Sequence, residues 1–324
     1  MASPAAELRA VLAAWGIGEV LAAHTPPTGT MNGTTIVATP QGDRIVRAYR
    51  HRDRAPIDIE HTIIAHVRAH GLPAVGPLPL PDGTTILEWH GRFFALFPRA
   101  EGIQIERSQL GAVEAAAMGR CLARLHRALA TLPPSATRLR SFSFDRAAAL
   151  DGNAQLAALI RGRAARDALD ALALAWLAGQ REWLLGLLEG DPPDLAALPF
   201  QVIHGDYQET NLFFAAGEVC AVIDWDQTYA APRAWEVLRV LDLALRFMPA
   251  LCCPFVAAYR EVSPLPLAEL DLAMAVYARK VGHSLWLYDD YYRKGNTRLA
   301  QFFPPDGFIS PADAWAALRP YLAV

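Results

Sequence analysis

The feature that most constrains this chain is one loop-and-hairpin stretch, Val202-Ile203-His204-Gly205-Asp206-Tyr207-Gln208-Glu209-Thr210-Asn211-Leu212-Phe213-Phe214, followed by Val222-Ile223-Asp224-Trp225-Asp226. Leu212 to Phe214 and Val219 to Ile223 read as two strands joined by a turn at Ala216-Gly217. This arrangement gathers His204, Asp206, Asn211 and Asp224 at one pole of a compact unit. Asn211 follows Asp206 by five positions, and Asp224 follows Asn211 by thirteen.

That spacing suits phosphoryl transfer. One carboxylate orients or accepts the proton of an attacking hydroxyl, while an amide oxygen and a second carboxylate hold the magnesium that bridges nucleotide phosphates. Magnesium prefers hard oxygen ligands and keeps several waters, so one Asn and one Asp suffice. Protein kinases write the set as H-R-D-x-x-x-x-N followed by D-F-G. Here it reads His-Gly-Asp-x-x-x-x-Asn followed by Asp-Trp-Asp. With these replacements the chain resembles the aminoglycoside phosphotransferase and choline kinase-like family, small-molecule kinases with the protein-kinase fold. The resemblance implies Asp206 as catalytic base, His204 as a support for the catalytic loop, and Asn211 and Asp224 as magnesium ligands. Asp226 either ligates a second magnesium or holds the loop.

The resemblance extends over nearly the whole chain. Ahead of the first predicted hairpin, Thr28-Gly29-Thr30-Met31-Asn32-Gly33 can turn backbone N–H groups toward phosphates. Relatives carry a similar Gly-x-x-Asn entry, which implicates Gly29 and Asn32 in covering the nucleotide. Arg47 stands on the next strand, where kinases place a phosphate-binding Lys, and its fork differs from an ammonium in geometry and reach. A helix is predicted over Pro56 to His70, with Ile59, Ile63, Ile64 and Val67 on its buried face; its Glu60 resembles the kinase helix Glu, which implies a pair with Arg47. A second hairpin, Thr84–Trp89 with Arg92–Phe97, leads into Pro98-Arg99. By the same resemblance this is the inter-lobe hinge, where backbone near Phe97 and Arg99 meets adenine.

Helical periodicity dominates from there. Leu110 to Leu129 places Val113, Ala117, Met118, Cys121, Leu122 and Leu125 on one face, with His126 as a packing residue. Ala148 to Leu188 reads as a helix pair broken near Gly162 or Gly179, and Asp191 to Asp194 as the loop that delivers the chain to the motif. Pro232 starts a helix whose Glu236 matches the acidic residue with which relatives steady the catalytic loop. Between Lys280 and Arg293, Trp286, Tyr288, Asp289, Asp290, Tyr291 and Tyr292 form either an acceptor pocket or a stripe packed into the C-terminal lobe.

The expected fold is therefore α+β and two-lobed, protein-kinase-like. An antiparallel-sheet lobe over residues 1–97 binds nucleotide, and a mainly helical lobe over residues 98–324 carries the catalytic loop and acceptor site. The expected chemistry is ATP- and magnesium-dependent phosphorylation of a small-molecule hydroxyl. A serine/threonine protein kinase of the same fold and a catalytically silent nucleotide-binding module are the rivals; no activation segment supports the first, and Arg47 is the best argument for the second.

Composition narrows the partners. A net charge of −3 with no block of like charge suggests neither nucleic acid nor an anionic membrane. The N-terminus lacks the basic start and apolar run of a secretory signal, and Cys121, Cys220, Cys252 and Cys253 lack zinc-ligand spacing and read as buried free thiols. A cytoplasmic monomer or homodimer is expected. Aminoglycoside, amino alcohol, sugar and homoserine acceptors all remain open, although a polycationic antibiotic needs more acid than Asp289, Asp290, Asp271 and Glu269 supply.

Overall fold

The computed structural model describes residues 4–26, 33–187 and 195–323. Helix α1 (Pro4–Ala13) packs Val11 and Leu12 against a five-stranded antiparallel sheet. Its strands are β1 (Ala22–His24), β2 (Gly33–Ala38), β3 (Arg44–Ala48), β4 (Leu87–Trp89) and β5 (Arg92–Pro98), in the order β1-β2-β3-β5-β4. Only Leu87 to Trp89 of the predicted Thr84–Trp89 strand pairs, because Thr84 turns back onto Asp82 and Leu80.

Helix α2 (Ala55–Ala69) crosses the inner side of this sheet. It buries Ile57, Glu60, His61, Ile63, Ile64 and Val67, whereas Ile59 is exposed. The buried stripe runs through Ile57, Ile64 and Val67 with Glu60 and His61 between them. A polar pair thus occupies the face that hydrophobicity alone would assign to Ile59, since Glu60 meets Arg47 there and His61 meets the hydroxyls of Tyr49 and Thr85.

Beyond β5 the chain is mostly helical. Helix α3 (Ala112–Leu129) is the central one, and Val113 on it is 61% exposed rather than part of the buried face. At Gly119 it passes close to the backbone of Phe255, where a Cβ would lie 2.1 Å from the carbonyl oxygen. Helix α4 (Arg146–Arg161) ends at Gly162, and α5 (Ala168–Gly186) starts on an Asp167–Asp170 capping box. The break is therefore at Gly162, while Gly179 lies inside α5 against Phe308. The predicted Asp191–Asp194 loop lies outside the described residues.

The motif stretch forms two small ribbons. Strand β6 (Phe200–Ile203) pairs with β9 (Tyr229–Pro232), and β7 (Leu212–Ala215) pairs with β8 (Glu218–Val222). Pairing of β6 with β9 is absent from the sequence expectations, because Tyr229-Ala230-Ala231-Pro232 has no alternation and a Pro at its end. Helix α6 (Arg233–Arg239) follows and runs into a π-helical turn, Val240–Ala244. Then come α7 (Pro249–Val262), α8 (Leu267–Gly282), α9 (Trp286–Tyr292) and α10 (Pro311–Leu318). One apolar core joins α2 and β5 to α3, α6, α7 and α8. All four cysteines are free, with Cys121 and Cys252 buried and Cys220 and Cys253 half-buried rather than fully enclosed. Among the described residues no helix is long and apolar enough to cross a membrane.

Candidate active site

Strand β6 ends at Ile203 and the chain turns sharply through His204-Gly205-Asp206. Gly205 has φ +84°, and a Cβ there would meet the Gln227 carbonyl oxygen at 2.2 Å. The loop thus has no room for the Arg that protein kinases carry at this point. Glu236 of α6 closes it from below. Its buried carboxylate accepts the backbone N–H of His204 at 3.1 Å, the N–H of Gly205, and His126 Nε2–H at 2.9 Å. Burial works to raise the Glu236 pKa, yet the His126 hydrogen bond and the surrounding donors win and hold it below the ordinary value.

His126 is accordingly more than a packing residue, with Nδ1 against the Tyr259 hydroxyl at 2.8 Å. The His204 ring is wholly buried and uses both nitrogens: Nδ1 accepts the Asp206 N–H at 3.2 Å and Nε2–H donates to the Ile223 carbonyl at 3.0 Å. It also lies edge-on to Trp225, with ring centroids 4.5 Å apart. His204 therefore ties the Asp206 loop to the strand end that carries Asp224.

The Asp206 carboxylate remains partly open to solvent, at 26% exposure. Asn211 Nδ2 donates to it at 3.0 Å and to the Asp206 backbone carbonyl at 2.8 Å. Gln208 Nε2 lies 3.2 Å away, and Arg239 Nη2 of α6 is 3.5 Å from Oδ1. With its NH2 committed to Asp206, Asn211 keeps its amide oxygen without a partner among the described residues. Asp224 sits beyond β8 in a left-handed conformation, φ 65°, an uncommon state for a non-glycine residue that clusters at functional sites.

Arg47 reaches this wall from β3. Nη1 lies 3.2 Å from Glu60, and Nη2 lies 2.7 Å from Asp224 and 2.8 Å from Asp226. The Arg47–Glu60 pair expected from the sequence is present, and the same guanidinium spans the cleft to both aspartates. Asp226 also takes the Gln227 amide at 3.2 Å. Burial pushes the Glu60 carboxyl up to about 7, with the Arg47 charge opposing and Asp226 and Asp224 reinforcing it. Behind Glu60, Tyr49 Oη meets His61 Nε2 at 3.0 Å and Thr85 Oγ1 meets Nδ1 at 2.7 Å. Burial lowers the His61 pKa to about 4. The oxygens of Asn211, Asp224 and Asp226 are hard donors that fit a magnesium ion in type, with Arg47 supplying counter-charge to the two carboxylates.

Other predicted residues lie elsewhere or are engaged. Phe97 is buried near the end of β5, opposite Ile45. Arg99 is exposed and pairs with Asp43 at 2.5 Å, so its side chain turns to the β2–β3 turn. Gly29 and Asn32 lie outside the described residues. The connection from β5 to the motif ribbon is made at Ile103, which exchanges backbone hydrogen bonds with Phe214 at 3.0 and 2.8 Å.

The aromatic segment resolves toward packing. Tyr288 is buried among Leu156, Leu177 and Phe303, with Tyr291 and Tyr292 packed against the same cluster, while Trp286 is 61% exposed. Asp289 and Asp290 pair with Arg293 and Lys294, Glu269 with Arg233, and Asp271 with Arg319. Arg239, Gln208 and His61 are site neighbours that the sequence reasoning passed over. Arg239 was visible three residues after Glu236 on the same helix, one turn along.

The profile of the phosphotransferase enzyme family matches residues 25–268. A homoserine kinase of Methylobacterium radiotolerans is 26% identical over 95% of this chain and 90% of its own length. A homoserine kinase of Burkholderia mallei is also 26% identical, over 63% of this chain and 56% of its own length. Among solved structures, spectinomycin phosphotransferase in complex with ADP and spectinomycin superposes with a TM-score of 0.65 at 15% identity, over 96% of this chain and 97% of that one. An aminoglycoside phosphotransferase from Alicyclobacillus acidocaldarius gives 0.63 at 16% identity, over 97% and 95%. These likenesses establish the protein-kinase-like fold.

Proposed function

This chain belongs to the phosphotransferase enzyme family and is a kinase of alcohol acceptors, and from that premise we propose that it moves the γ-phosphoryl group of ATP onto a small-molecule hydroxyl with magnesium. The nucleotide lies between the sheet lobe of residues 1–97 and the helical lobe of residues 98–324, against the Phe97–Arg99 hinge, and Gly29 and Asn32 are assigned to it by the Gly-x-x-Asn pattern of relatives alone. The observation that carries the reading is the Asp206 carboxylate, partly open to solvent and fixed from one side by Asn211 and Gln208.

In the transfer, Asp206 orients the acceptor hydroxyl and takes its proton. The acceptor oxygen forms a bond to the γ-phosphorus as the bond from that phosphorus to the β,γ-bridging oxygen breaks, and ADP leaves. Asn211 and Asp224 would hold the magnesium, which supplies neutralisation of the negative charge on the phosphates. Arg47, steadied by Glu60, pairs with the α/β phosphates, and Asp226 holds Arg47 in the cleft. His204 and Glu236 keep the loop in place, so Asp206 loses no orientation entropy at the moment of reaction.

Acid on the acceptor side does not support a polycationic antibiotic, since Asp289, Asp290, Asp271 and Glu269 all have cationic partners within the chain. The deciding experiment is acceptor-dependent ATP consumption by wild type and by Asp206→Asn. Loss of a general base costs roughly 10²–10⁴ in rate, with ATP binding retained. An Asp206→Asn protein that transfers phosphate at the wild-type rate refutes the assignment.

A further inference from the structure

Among the described residues, Arg239 is the one cation in an ion pair with Asp206. Helix α6 delivers it one turn after Glu236, so the element that supports the catalytic loop from below also brings a guanidinium to the edge of the base. Asn211 donates to Asp206 Oδ2 at 3.0 Å, and Gln208 Nε2 lies 3.2 Å from both carboxylate oxygens. Arg239 Nη2 stands farther off, 3.5 Å from Oδ1. Charge-assisted hydrogen bonds of this kind run to about 2.7–2.9 Å, so the guanidinium is near the base without being consumed by it.

The Arg239 side chain is only 18% exposed. The other groups that act on its charge are the phenols of Tyr229 and Tyr277 and the Glu236 carboxylate, and each is committed elsewhere. Tyr229 Oη accepts the Trp235 Nε1–H at 2.9 Å, Tyr277 Oη donates to Asp242 at 2.8 Å, and Glu236 holds the His204 and Gly205 N–H groups and His126. The Tyr229 ring also walls the catalytic loop, since a Cβ on Gly205 would lie 2.7 Å from it. Among the described residues, the fully enclosed side-chain polar atoms without a partner are Glu209 Oε2 and the Tyr288 hydroxyl. The Arg239 nitrogens are therefore not sealed in, and Nη2 opens beside Asp206. A guanidinium is all donor and no acceptor, and a largely buried one with unused donors is matched to an anion that the chain itself does not supply.

The chemistry of the site names that anion. The acceptor hydroxyl must sit against Asp206 while the γ-phosphoryl group approaches its oxygen, so two negatively charged groups converge with one hydroxyl between them. Arg47 does not offset this, because its charge is shared among Glu60, Asp224 and Asp226. Building on the kinase reading above, we propose that Arg239 is a catalytic residue that donates N–H groups to the oxygens of the transferring phosphoryl group, most strongly in the transition state. The bond changes are those of the transfer itself. The bond from the acceptor oxygen to phosphorus forms, the bond to the β,γ-bridging oxygen breaks, and the hydroxyl proton passes to Asp206. Arg239 keeps its protons throughout. Held by α6 before the reaction begins, it needs no reorganisation as charge develops, and loss of one such preorganised donor costs about 10²–10³ in kcat.

The test reads binding as well as rate. The Tm of the full chain is measured with magnesium-ADP alone and with magnesium-ADP plus fluoroaluminate, a mimic of the phosphoryl group in transfer. Wild type should gain a further rise from fluoroaluminate. Arg239→Met should keep the magnesium-ADP rise, which confirms its fold, and lose the further one; Arg239→Lys, which keeps the charge without the fork, should retain part of it. Kinetics use whichever of L-homoserine, 3-aminopropan-1-ol and spectinomycin wild type turns over fastest. Arg239→Met should lower kcat about 10²- to 10³-fold, with KM for ATP and for the acceptor within about threefold of wild type, the pattern of a contact made only in the transition state. A fluoroaluminate response equal to that of wild type would overturn the proposal. So would a loss confined to KM for the acceptor, which would place Arg239 on the acceptor instead, or loss of the magnesium-ADP response in both variants, which would make it a structural support of the loop. All three leave the kinase reading intact. Undiminished transfer by Asp206→Asn would instead remove the reading on which it rests.

Discussion

Arg47 is the residue whose removal should be most informative. In Arg47→Met the cleft keeps three carboxylates, Glu60, Asp224 and Asp226, and loses the guanidinium that lies within 3.2 Å of all of them. The side chains of Arg47, Glu60 and Asp226 are only 12%, 4% and 10% exposed, whereas Asp224 is 43% exposed and solvent screens its share. Breaking a buried ion pair from one side costs about 3–5 kcal/mol, and Glu60 relieves part of this by taking up a proton. At roughly 2 °C per kcal/mol for a chain of this size, the unrelieved cost sets an upper bound of about 6–10 °C on the Tm loss. Magnesium provides the sharper readout. Without its built-in cation the carboxylate cluster should attract the ion, and a ligand that binds only the folded state stabilises it in proportion to ln(1 + [L]/Kd). Millimolar magnesium without nucleotide should therefore raise the Tm of Arg47→Met by several degrees more than that of wild type. A Tm within 2 °C of wild type, or equal magnesium responses, would refute the view of Arg47 as the counter-charge of this cleft.

Other perturbations separate the supports of the site. Glu60 has a folded-state pKa raised from 4.5 to about 7, so its contribution to stability is fully present below pH 4.5 and is lost as pH rises through about 7; Glu60→Gln should flatten the Tm profile over that window, and an unchanged slope would contradict the assignment. Glu236 shifts the other way, stabilising the fold above its ordinary carboxylate range and losing that contribution as pH falls through its lowered value. Glu236→Gln should lower kcat at least about tenfold by loosening the His204–Gly205 turn, and circular dichroism with kinetics from pH 3 to 8 would expose a protein that keeps both wild-type acid stability and rate. Gly205→Ala places a Cβ 2.2 Å from a carbonyl oxygen at φ +84°, and a soluble, fully active variant would contradict the packing described for this loop.

Local chemistry was readable along the chain. The hairpin after Asn211, a helix break at Gly162 and the start of α6 after Pro232 follow from short-range signals, alternation and helix-breaking residues, whereas the Arg47–Glu60 partnership came from the family resemblance. Periodicity failed where polar groups took apolar positions. Ile59 and Val113 fit the hydrophobic stripes by spacing yet face solvent; on α2 the inward positions go to Glu60 and His61, whose partners Arg47, Tyr49 and Thr85 no count of apolar residues records. The aromatic segment after Lys280 offered two readings, and packing of Tyr288 against Leu156, Leu177 and Phe303 settled it toward a core.

By itself, the order of residues determined which groups compose the candidate site, since Asp206, Asn211 and Asp224 are brought together by one loop and one hairpin whose geometry depends on neighbours a few positions away. Tertiary structure alone decided what those groups meet. Arg47 lies 177 positions from Asp224, and His126 lies 110 from Glu236. Their contacts arise only when the sheet closes over the ribbon and α3 packs behind α6. Side-chain spacing encodes which groups can react, but burial and long-range packing set their charge partners and the space left for a substrate.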